Sequence, residues 1–427
     1  MNSIEKLSLF KTKREFFSFL LFCFIIFLFS LSYQFYKYKE FTKFDSQLVD
    51  AAVLKQYTKT KLTKHAEKKE YQILKLRTDE GLTFYTTAGK KLPNLKNKKV
   101  QIELWAGDIS FYKYLQGFFT FSKIRKIYKE NSLKQRISAL IDSQHAEQKT
   151  ASLYKALFLA IPLKKSLQTT FSNLGISHLI AISGFHLGVL SAVLFLLLKY
   201  PYKFLQNRYF PYRSYKKDTF VIISFILFLY MIFLNSPPSL LRAFGMLLVG
   251  FYLYTRGYEI ISMQTLLVTA LLILSLFPML IFSVGFWLSI AGVFYIFLFL
   301  LHFQQKSKVW QFVVLPFWVY LMMLPYSLVL FGNFGIYHPF SILWTSLFTL
   351  FYPLSIAAHL LGHGDIFDGY LMHLMALGKH AEHISLHKGW VIVEIILSLL
   401  SLYKQVFLKL LSLYCLFIFI YLIYNVA

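Results

Sequence analysis

Residues 171–188 read FSNLGISHLIAISGFHLG, and the apolar character that begins here continues to about residue 199. A helix can cross a membrane when about 20 consecutive residues are mostly apolar. This run meets that requirement but also carries three glycines, two histidines and several hydroxyl or amide side chains. Such groups are costly in hydrocarbon and normally face a bundle interior or a wet cavity. The run therefore predicts an interior surface of a membrane protein or, as the alternative, a close helix contact made by small residues.

The candidate functional residues of this run are its polar and helix-breaking positions. His178 and His186 are about 80° apart around a continuous helix, so both can line one cavity. Ser183-Gly184 is a point at which that helix can break. The candidates are Asn173, Ser177, His178, Ser183, Gly184 and His186.

The composition of the chain points to the same class of protein. Of its 427 residues, 57% are hydrophobic and 15% are charged, whereas soluble domains carry about 25% charged residues. A soluble enzyme is therefore excluded, and a polytopic membrane protein with a basic soluble part remains. The formal net charge is +25. Cys23 and Cys415 lie in apolar runs near opposite ends, so they predict neither a zinc site nor a disulfide framework.

Apolar runs of sufficient length predict about ten transmembrane helices. The first, residues 16–35, is longer than the core of a signal peptide, so we expect an uncleaved anchor. The basic residues before it favour a cytoplasmic start, which places the region after the anchor outside the cytoplasm. The other expected spans are residues 174–199, 217–235, 239–255, 262–282, 284–302, 309–331, 335–361, 389–403 and 406–425, the last two of which could form one tilted hairpin.

After the anchor, the pattern changes to the period-2 alternation of half-buried strands. The expected strands are residues 48–57, 71–77, 82–87 and 100–104. Asp79-Glu80-Gly81 between two of them is a hairpin signal. Four or more short strands predict a small β-barrel or sandwich. The basic, amphipathic residues 117–148 predict a helix on the membrane surface.

Three further apolar segments are interrupted by polar or helix-breaking residues. They read NSPPSLLRAF at 235–244, FPMLIFSVGFWLS at 277–289 and LFGNFGIYHP at 330–339. Membrane segments tolerate such interruptions where protein or water covers the backbone. Arg242, one turn into the helix that Pro238 begins, either snorkels to the interface or presents a fixed cation to a polyanion or a carboxylate. The candidates in these segments are Pro238, Arg242, Ser289 and Asn333.

The order of these four segments resembles that of the ComEC family, the inner-membrane DNA channel of natural transformation. Residues 175–186 are similar to the family signature GLSHLLAISGLHVG, and residues 238–243 to SPSVVRA. Residues 286–290 are similar to FQLSF, and residues 331–340 to FGQFSLVSPLAN. The resemblance implies an α-helical polytopic membrane protein whose N-terminal soluble part is an OB-like small β-barrel.

With this resemblance the sequence divides into five parts. Residues 1–36 are the N-terminal cytoplasmic segment and membrane anchor, and residues 37–110 are the extramembrane OB-like domain. Residues 111–150 are expected as a basic amphipathic interfacial helix, 151–365 as the competence-type membrane channel domain, and 366–427 as an interfacial histidine-rich helix with the C-terminal transmembrane helices. The localisation implied is the bacterial inner membrane, with the β domain on the periplasmic side.

The resemblance implies a channel that carries single-stranded DNA into the cytoplasm. Each nucleotide carries a negative charge, so the strand needs a wet, protein-lined path, and the ten candidates of the four segments are expected to line it. No Gly-x-x-x-x-Gly-Lys-Ser/Thr loop occurs, so the pulling force is expected from partners or from a gradient. Expected partners are single-stranded DNA, the lipid bilayer, a periplasmic DNA receptor and a cytoplasmic DNA-binding or helicase protein, and the oligomeric state stays open.

Lysines beside aromatic residues in the soluble domain are typical of a single-strand binding platform, in which phosphates meet cations and bases stack. A solvated lysine-rich face over core aromatics is the structural alternative. The candidates for DNA contact are Lys55, Lys59, Lys61, Tyr71, Lys75, Arg77, Lys90, Lys91 and Trp105.

A histidine-rich segment near the C-terminus has spacings that place imidazoles on one helix face. Its members are His359, His363, His373, His380, His383 and His387, with Asp365 and Asp368. Neither His-Glu-x-x-His nor the His-x-His-x-Asp-His motif of the metallo-β-lactamase-like domain in longer family members occurs. We therefore expect no metal, no cofactor and no enzymatic activity. Two alternatives stay open: a transporter of lipid-linked or small anionic substrates with a basic sensor domain, and a metal-dependent membrane nuclease that uses this segment.

Overall fold

The computed structural model divides into two compact units. Residues 14–137 and 272–283 form the first, which we call the sheet unit, and residues 1–13, 138–271 and 284–427 form the second, the helical unit. The residues that the structure describes are 9–10, 12–62, 68–78, 81–89, 92–93, 95, 98–107, 109–128, 133–180, 182–258, 261–378, 382–384 and 386–426.

The sheet unit begins with helix α1 (Lys13–Phe41), which is continuous over 29 residues. Most of its side chains are exposed, as is typical of a helix that faces lipid. Its last turn packs into the sheet: the Tyr38 hydroxyl donates to Ile109 O at 2.8 Å, and the Phe41 and Phe118 ring centroids are 5.6 Å apart. The predicted anchor is therefore the apolar part of a longer helix that ends in the core of the sheet unit.

Six strands form one mixed sheet in the order β5-β3-β2-β1-β4-β6. They are β1 (Ser46–Leu62), β2 (Lys68–Thr78), β3 (Thr83–Ala88), β4 (Lys99–Trp105), β5 (Phe118–Phe119) and β6 (Ser122–Ile127). The four strands predicted from alternation coincide with β1 to β4. The predicted hairpin is confirmed, because β2 and β3 are antiparallel with Arg77 opposite Thr83, and Gly81 supplies a φ of +89°.

One stretch of chain, residues 118–127, pairs with both outer strands of the four-stranded array β3-β2-β1-β4. β5 runs parallel to β3 and β6 runs antiparallel to β4. Between β5 and β6, the Thr120 N–H donates to Tyr85 O at 2.9 Å, and the Trp105 N–H donates to Phe121 O at 3.2 Å. The sheet is mixed and six-stranded, and the closed small barrel stays a prediction.

The single surface helix predicted for residues 117–148 is wrong. Its first part is β5 and β6, and a helix, α3 (Leu133–Ser143), begins only after them. In the run SKIRKI at 122–127 the two apolar residues, Ile124 and Ile127, are three positions apart, which is the spacing of one face of a helix. Pairing with β4 stabilises a strand here instead of a helix, because it satisfies the hydrogen-bonding groups of the backbone along the edge of β4.

The core of the sheet unit lies under these four strands. Its fully buried side chains include Val53, Leu74, Leu76, Phe84, Val100, Ile102 and Leu104. Burial of each stabilises the unit by about 1.5–3 kcal/mol. Helix α2 (Phe111–Gln116), capped by the Ser110 hydroxyl, packs its Tyr114 into this core.

The helical unit consists mainly of α-helices joined by short turns. In chain order they are α4 (Gln148–Leu159), α5 (Lys165–Asn173), α6 (Ser177–Ile180), α7 (Gly184–Tyr209), α8 (Tyr215–Phe233), α9 (Pro238–Thr255), α10 (Met263–Leu276), α11 (Val284–His302), α12 (Lys308–Phe331), α13 (Ser341–Leu360), α14 (Asp368–Leu377), α15 (Lys388–Ser401) and α16 (Gln405–Val426). The last residues of α10 and the 3-10 helix Pro278–Phe282 belong to the sheet unit. A short ribbon pairs β7 (Asn333–Phe334) with β8 (Glu382–His383).

Six helices in the described part of the chain are long and apolar enough to cross a membrane. They are α1, α7, α11, α12, α13 with its preceding 3-10 turn, and α16. A mostly helical membrane protein with an N-terminal sheet is therefore confirmed, but ten spans are not. The other four expected spans coincide with α8, α9, α10 and α15, which are helical where predicted, and their crossing of the membrane stays a prediction.

Candidate functional site

The first interrupted segment changes direction at Gly175, between α5 and α6. Gly175 has a φ of +72°, in the left-handed region that glycine adopts most readily. A Cβ at this position would lie 2.8 Å from the ring of His338, which is closer than real contacts. The backbone of the first segment therefore lies directly against an imidazole of the fourth segment.

His178 lies on α6 and contacts α13, the helix that follows the fourth segment. Its Nε2 lies 3.4 Å from the Thr345 hydroxyl of α13. The neighbouring His338 is buried, and its Nδ1 lies 2.9 Å from the Tyr320 hydroxyl of α12. His178, in contrast, is exposed. An exposed imidazole can donate to or accept from a ligand that passes it.

His186 is buried in the first turn of α7. The Ser183 N–H donates to His186 Nδ1 at 3.3 Å, so the ring caps its own helix. The ring packs edge-on against Phe348 and Tyr352 of α13, with centroid distances of 5.0 and 4.8 Å. The predicted break at Ser183-Gly184 is present as the start of α7. His178 and His186 therefore lie on separate helices, and the arrangement expected for a continuous helix is wrong.

The second segment packs directly onto the first. The Ser239 hydroxyl donates to Ile182 O at 2.7 Å. A Cβ on Gly184 would lie 3.0 Å from the Cβ of Ala243. Small residues at both positions allow the start of α7 to approach α9 closely.

Arg242 joins the second segment to the third. Its residue surface is only 6% exposed, and its guanidinium carbon lies 6.0 Å from the centroid of the Phe286 ring on α11. The position of a Cβ on Gly285 would be 3.4 Å from Arg242 Nη1, so the glycine leaves room for the guanidinium. A snorkelling arginine keeps its head in water, whereas this one is buried. The helical unit therefore holds a permanently charged group against an aromatic ring.

Two of the predicted path residues make contacts outside the four interrupted segments. Asn173 Nδ2 donates to Gly378 O at 2.8 Å, which ties α5 to the end of α14. Asn333 lies in β7, opposite His383 of β8. The Asn173 amide therefore joins two helices, while Asn333 lies in a strand pair.

The other predicted path residues lie at helix starts or within a helix. Pro238 occupies the first position of α9, as its fixed φ favours. Ser177 begins α6, and half-buried Ser289 lies on α11 one turn after Phe286. The contacts described above link all four segments, and a role in lining a path stays a prediction for every one of the ten residues.

On the sheet unit, a row of basic and aromatic residues crosses four strands. Lys55 of β1 is opposite Lys75 of β2, Lys75 is opposite Tyr85 of β3, and Tyr85 is opposite Phe119 of β5. Directly paired residues point to the same face of a sheet. Lys75 Nζ lies 5.3 Å from the centre of the Tyr85 ring. We call these four residues the basic-aromatic row.

Other predicted DNA-contacting residues extend this row or lie apart from it. Lys59 is opposite Tyr71, and both lie on the β1–β2 pair beside the row. Arg77 follows Lys75 by two residues on β2, and burial lowers the pKa of its guanidinium. Trp105 is 46% exposed on β4. Lys61 lies in β1, and Lys90 and Lys91 lie outside the described residues. Tyr85 is one of the aromatic residues that the sequence places among these lysines, whereas Phe119 was missed, because strand pairing alone brings it beside Tyr85.

The histidine-rich segment is not one interfacial helix. His359 lies in the last turn of α13, His363 precedes the 3-10 helix Gly364–Phe367, His373 lies exposed on α14, and His387 caps α15. His380 lies outside the described residues. No three His, Cys, Asp or Glu side chains in the described part of the chain are grouped so that they could hold a metal ion.

His145 is a buried residue that sequence reasoning missed. Its Nε2 lies 3.0 Å from Nε2 of His359, and its Nδ1 lies 2.9 Å from an Asp368 oxygen. Both partners are more than 200 residues away along the chain, so no local pattern marks the contact.

The helices and the interrupted segments define a polytopic membrane protein with an N-terminal mixed sheet. A family model described as Competence protein matches residues 162–426, which is more than half of the chain and includes all four segments. The chain belongs to the competence protein family, which is involved in DNA uptake during transformation. No curated protein and no solved structure matches the chain.

Proposed function

We propose that this chain forms the path by which single-stranded DNA crosses the inner membrane. Membership in the competence family supports DNA as the substrate and the membrane as the place of action. The observation that carries the proposal is the set of contacts that joins the four interrupted segments, which we call the junction: Gly175 with His338, Ser239 with Ile182, and Arg242 with Phe286. There, buried Arg242 and exposed His178 belong to segments linked by direct contacts. The path residues proposed are the ten candidates of these segments.

The chemistry of this junction suits a polyanion that must move. A guanidinium attracts phosphate, and the fully buried Phe286 ring beside it stabilises the guanidinium charge. A conducting site must bind weakly enough to release its ligand. A single fixed cation, Arg242, together with neutral hydrogen-bond donors would bind a phosphate less tightly than a cluster of lysines would. It therefore meets the need for release better. The chain therefore acts as a conduit rather than as an enzyme.

The basic-aromatic row is proposed as the entry surface on the periplasmic side. Lys55 and Lys75 are directly opposite each other, and like charges in such a pair destabilise a sheet. A phosphate between them would relieve that repulsion, and Tyr85 and Phe119 offer rings on which bases can stack. A periplasmic DNA receptor would deliver the strand, and a cytoplasmic DNA-binding or helicase partner would withdraw it.

The test uses cells in which the native copy of this gene is deleted and replaced by a wild-type or a variant copy. Fluorescent double-stranded DNA is followed as these cells take it up. Arg242→Ala is expected to lower cytoplasmic arrival of the label by about tenfold or more, which corresponds to roughly 1.4 kcal/mol of added barrier, while label accumulates outside the inner membrane. Arg256→Ala is the matched control, because Arg256 is an exposed arginine at the end of the same helix α9. Membrane levels of both variants are measured by immunoblot.

The outcomes separate the channel from its competitors. Accumulation outside the membrane for Arg242→Ala, with normal uptake for Arg256→Ala, supports the channel. Normal cytoplasmic arrival in cells with no copy of the gene would overturn it. In that event a transporter of lipid-linked or small anionic substrates becomes the better account of the same fold.

A further inference from the structure

A second polar cluster lies in the helical unit, apart from the four interrupted segments. His145, between α3 and α4, has a fully buried side chain. Its Nδ1 lies 2.9 and 3.0 Å from the two carboxylate oxygens of Asp368, and its Nε2 lies 3.0 Å from Nε2 of His359. His359 Nδ1 lies 2.7 Å from Ser355 O. We call His145, His359 and Asp368 the two-histidine cluster.

A count of protons shows what these three contacts require. Ser355 O can only accept, so His359 Nδ1 carries a proton. The contact between His145 and Asp368 needs a second proton, on either partner. The contact between the two Nε2 atoms needs a third, because two bare nitrogen lone pairs at 3.0 Å would repel each other. Two neutral imidazoles and an ionised carboxylate supply only two protons. The geometry therefore requires one more.

The additional proton makes the two-histidine cluster neutral as a whole. Two imidazoles sharing three protons carry one positive charge, and Asp368 carries one negative charge. This balance avoids an uncompensated buried charge, which would destabilise the chain strongly. The assignment of the proton to one residue is not needed, since strongly coupled groups titrate as a unit.

The other groups around the cluster do not supply or remove this charge. From α4, the Tyr154 ring stacks on His145 at a centroid distance of 4.6 Å and lies 4.5 Å from His359. Burial, with Asp368 and Asp365 nearby, raises the pKa of the Tyr154 hydroxyl above its usual range, so the phenol stays neutral. Thr150, also on α4, lies with its hydroxyl 3.1 Å from Asp368 Oδ2. Asp365, in the 3-10 helix before α14, is the other acidic group that acts on the phenol.

We propose that the two-histidine cluster is a binding site for one exchangeable proton, which fastens residues 144–150 to α13 and α14. With the proton bound, His145 and Thr150 hold Asp368 at the first turn of α14. Loss of the proton leaves the two Nε2 atoms in repulsion and breaks the link to α13. The fastening is therefore present at low pH and is lost as the pH rises through the titration of the cluster.

Helix α14 connects this site to the first interrupted segment. Asp368 begins α14, and Gly378, just after its end, accepts from Asn173 of α5. Ten helical residues span about 15 Å. A change in the protonation state of the cluster therefore acts at one end of α14, and the other end of α14 contacts the first segment through Asn173.

The test measures the melting temperature of the full chain in detergent between pH 6 and pH 9. The wild type is expected to lose stability as the pH rises. His359→Gln is expected to shrink that pH-dependent loss by at least half, because the glutamine amide can donate to His145 Nε2 without an additional proton. His373→Gln, an exposed histidine on α14, is the matched control and should keep the wild-type pH dependence.

A rescue experiment distinguishes a proton site from a merely structural contact. Asp368→Asn removes the balancing charge, so its pH-dependent loss should move to lower pH and its stability at neutral pH should fall. Adding His359→Gln to Asp368→Asn restores a full set of neutral hydrogen bonds, and the double variant should be more stable than Asp368→Asn alone. A purely structural role predicts additive losses instead, which would overturn the proposal.

Hydrogen exchange on the wild-type chain tests the same site without a variant. The Gly364 amide donates to Gln144 Oε1 at 3.0 Å, so peptides covering 355–370 should lose protection at high pH, after correction for intrinsic exchange, while peptides from α16 should not. Equal protection at pH 6 and pH 9 would contradict the proposal. A stoichiometric metal ion in the purified chain, or stabilisation by added zinc that His359→Gln abolishes, would assign the pair to a metal and overturn the proton site.

Discussion

Gly175 shows how one position without a side chain connects two segments that are far apart in sequence. Its φ of +72° sets the turn between α5 and α6, and the His338 ring occupies the space that a Cβ would need. Conformation and contact therefore both require glycine here. The two requirements can be separated by experiment, because Gly257 has a φ of +79° with open space around it.

We expect Gly175→Ala to destabilise the chain more than Gly257→Ala. The left-handed conformation costs either alanine about 1–2 kcal/mol, and only at residue 175 must the methyl group also displace His338. The measurement is the melting temperature of both purified variants, with DNA uptake as a second readout. Equal losses in the two variants would show that the contact with His338 contributes nothing.

At the scale of the element, the basic-aromatic row crosses strands β1, β2, β3 and β5, and its contribution to DNA binding can be tested by substitution. Lys55→Gln with Lys75→Gln should weaken single-stranded DNA binding by the full chain. Each phosphate that a lysine neutralises adds about 0.7 to the slope of log affinity against log salt, so the slope should fall by about 1.4 in this double variant. Binding is measured by fluorescence anisotropy of a labelled oligonucleotide at several salt concentrations.

The matched control for the row removes two lysines elsewhere in the sheet unit. Lys113 on α2 and Lys123 on β6 are both exposed, and Lys113→Gln with Lys123→Gln lowers the net charge equally. An equal loss of affinity in the control pair would mean that binding follows net charge rather than the row.

Sequence patterns predicted elements well where the evidence for them is local. Strand alternation in 71–77 and 100–104 and the turn at Gly81 depend on neighbouring residues, and the structure has β2, β4 and the hairpin there. The run SKIRKI has the i, i+3 apolar spacing of a helix, so its strand state depends on pairing with β4. Polar interruptions of apolar segments were also visible locally, because their cost in hydrocarbon does not depend on their partners.

At the scale of the whole molecule, the contacts that define the candidate sites were not predictable. Arg242 was singled out, but its position against Phe286 depends on how α9 meets α11. His145 carries no local signal, since its partners lie 214 and 223 residues away. Sequence reasoning therefore gave candidate residues for the path and for most of the basic-aromatic row, while the two-histidine cluster and Phe119 required the fold.

The sheet unit depends on Phe118, where residues 118–127 join its two sides. Phe118 is buried and its ring stacks on Phe84 at 5.7 Å. Phe118→Ala should destabilise the sheet unit by about 3–5 kcal/mol, because the cavity forms where β5 meets β3. Limited proteolysis of the full chain should then cut within 46–128 far faster than in the wild type. Phe121→Ala, at a 67% exposed position, is the control, and equal cleavage of the two variants would contradict this role.

The continuous helix α1 has a mechanical consequence for the domain that follows it. Its 29 residues extend about 44 Å, whereas the hydrocarbon layer is about 30 Å thick. Because Tyr38 and Phe41 at its end pack into the sheet unit, no flexible tether separates anchor from sheet. The sheet therefore cannot reorient independently of α1, and any tilt or rotation of α1 changes the direction in which the lysines of β1 and β2 point.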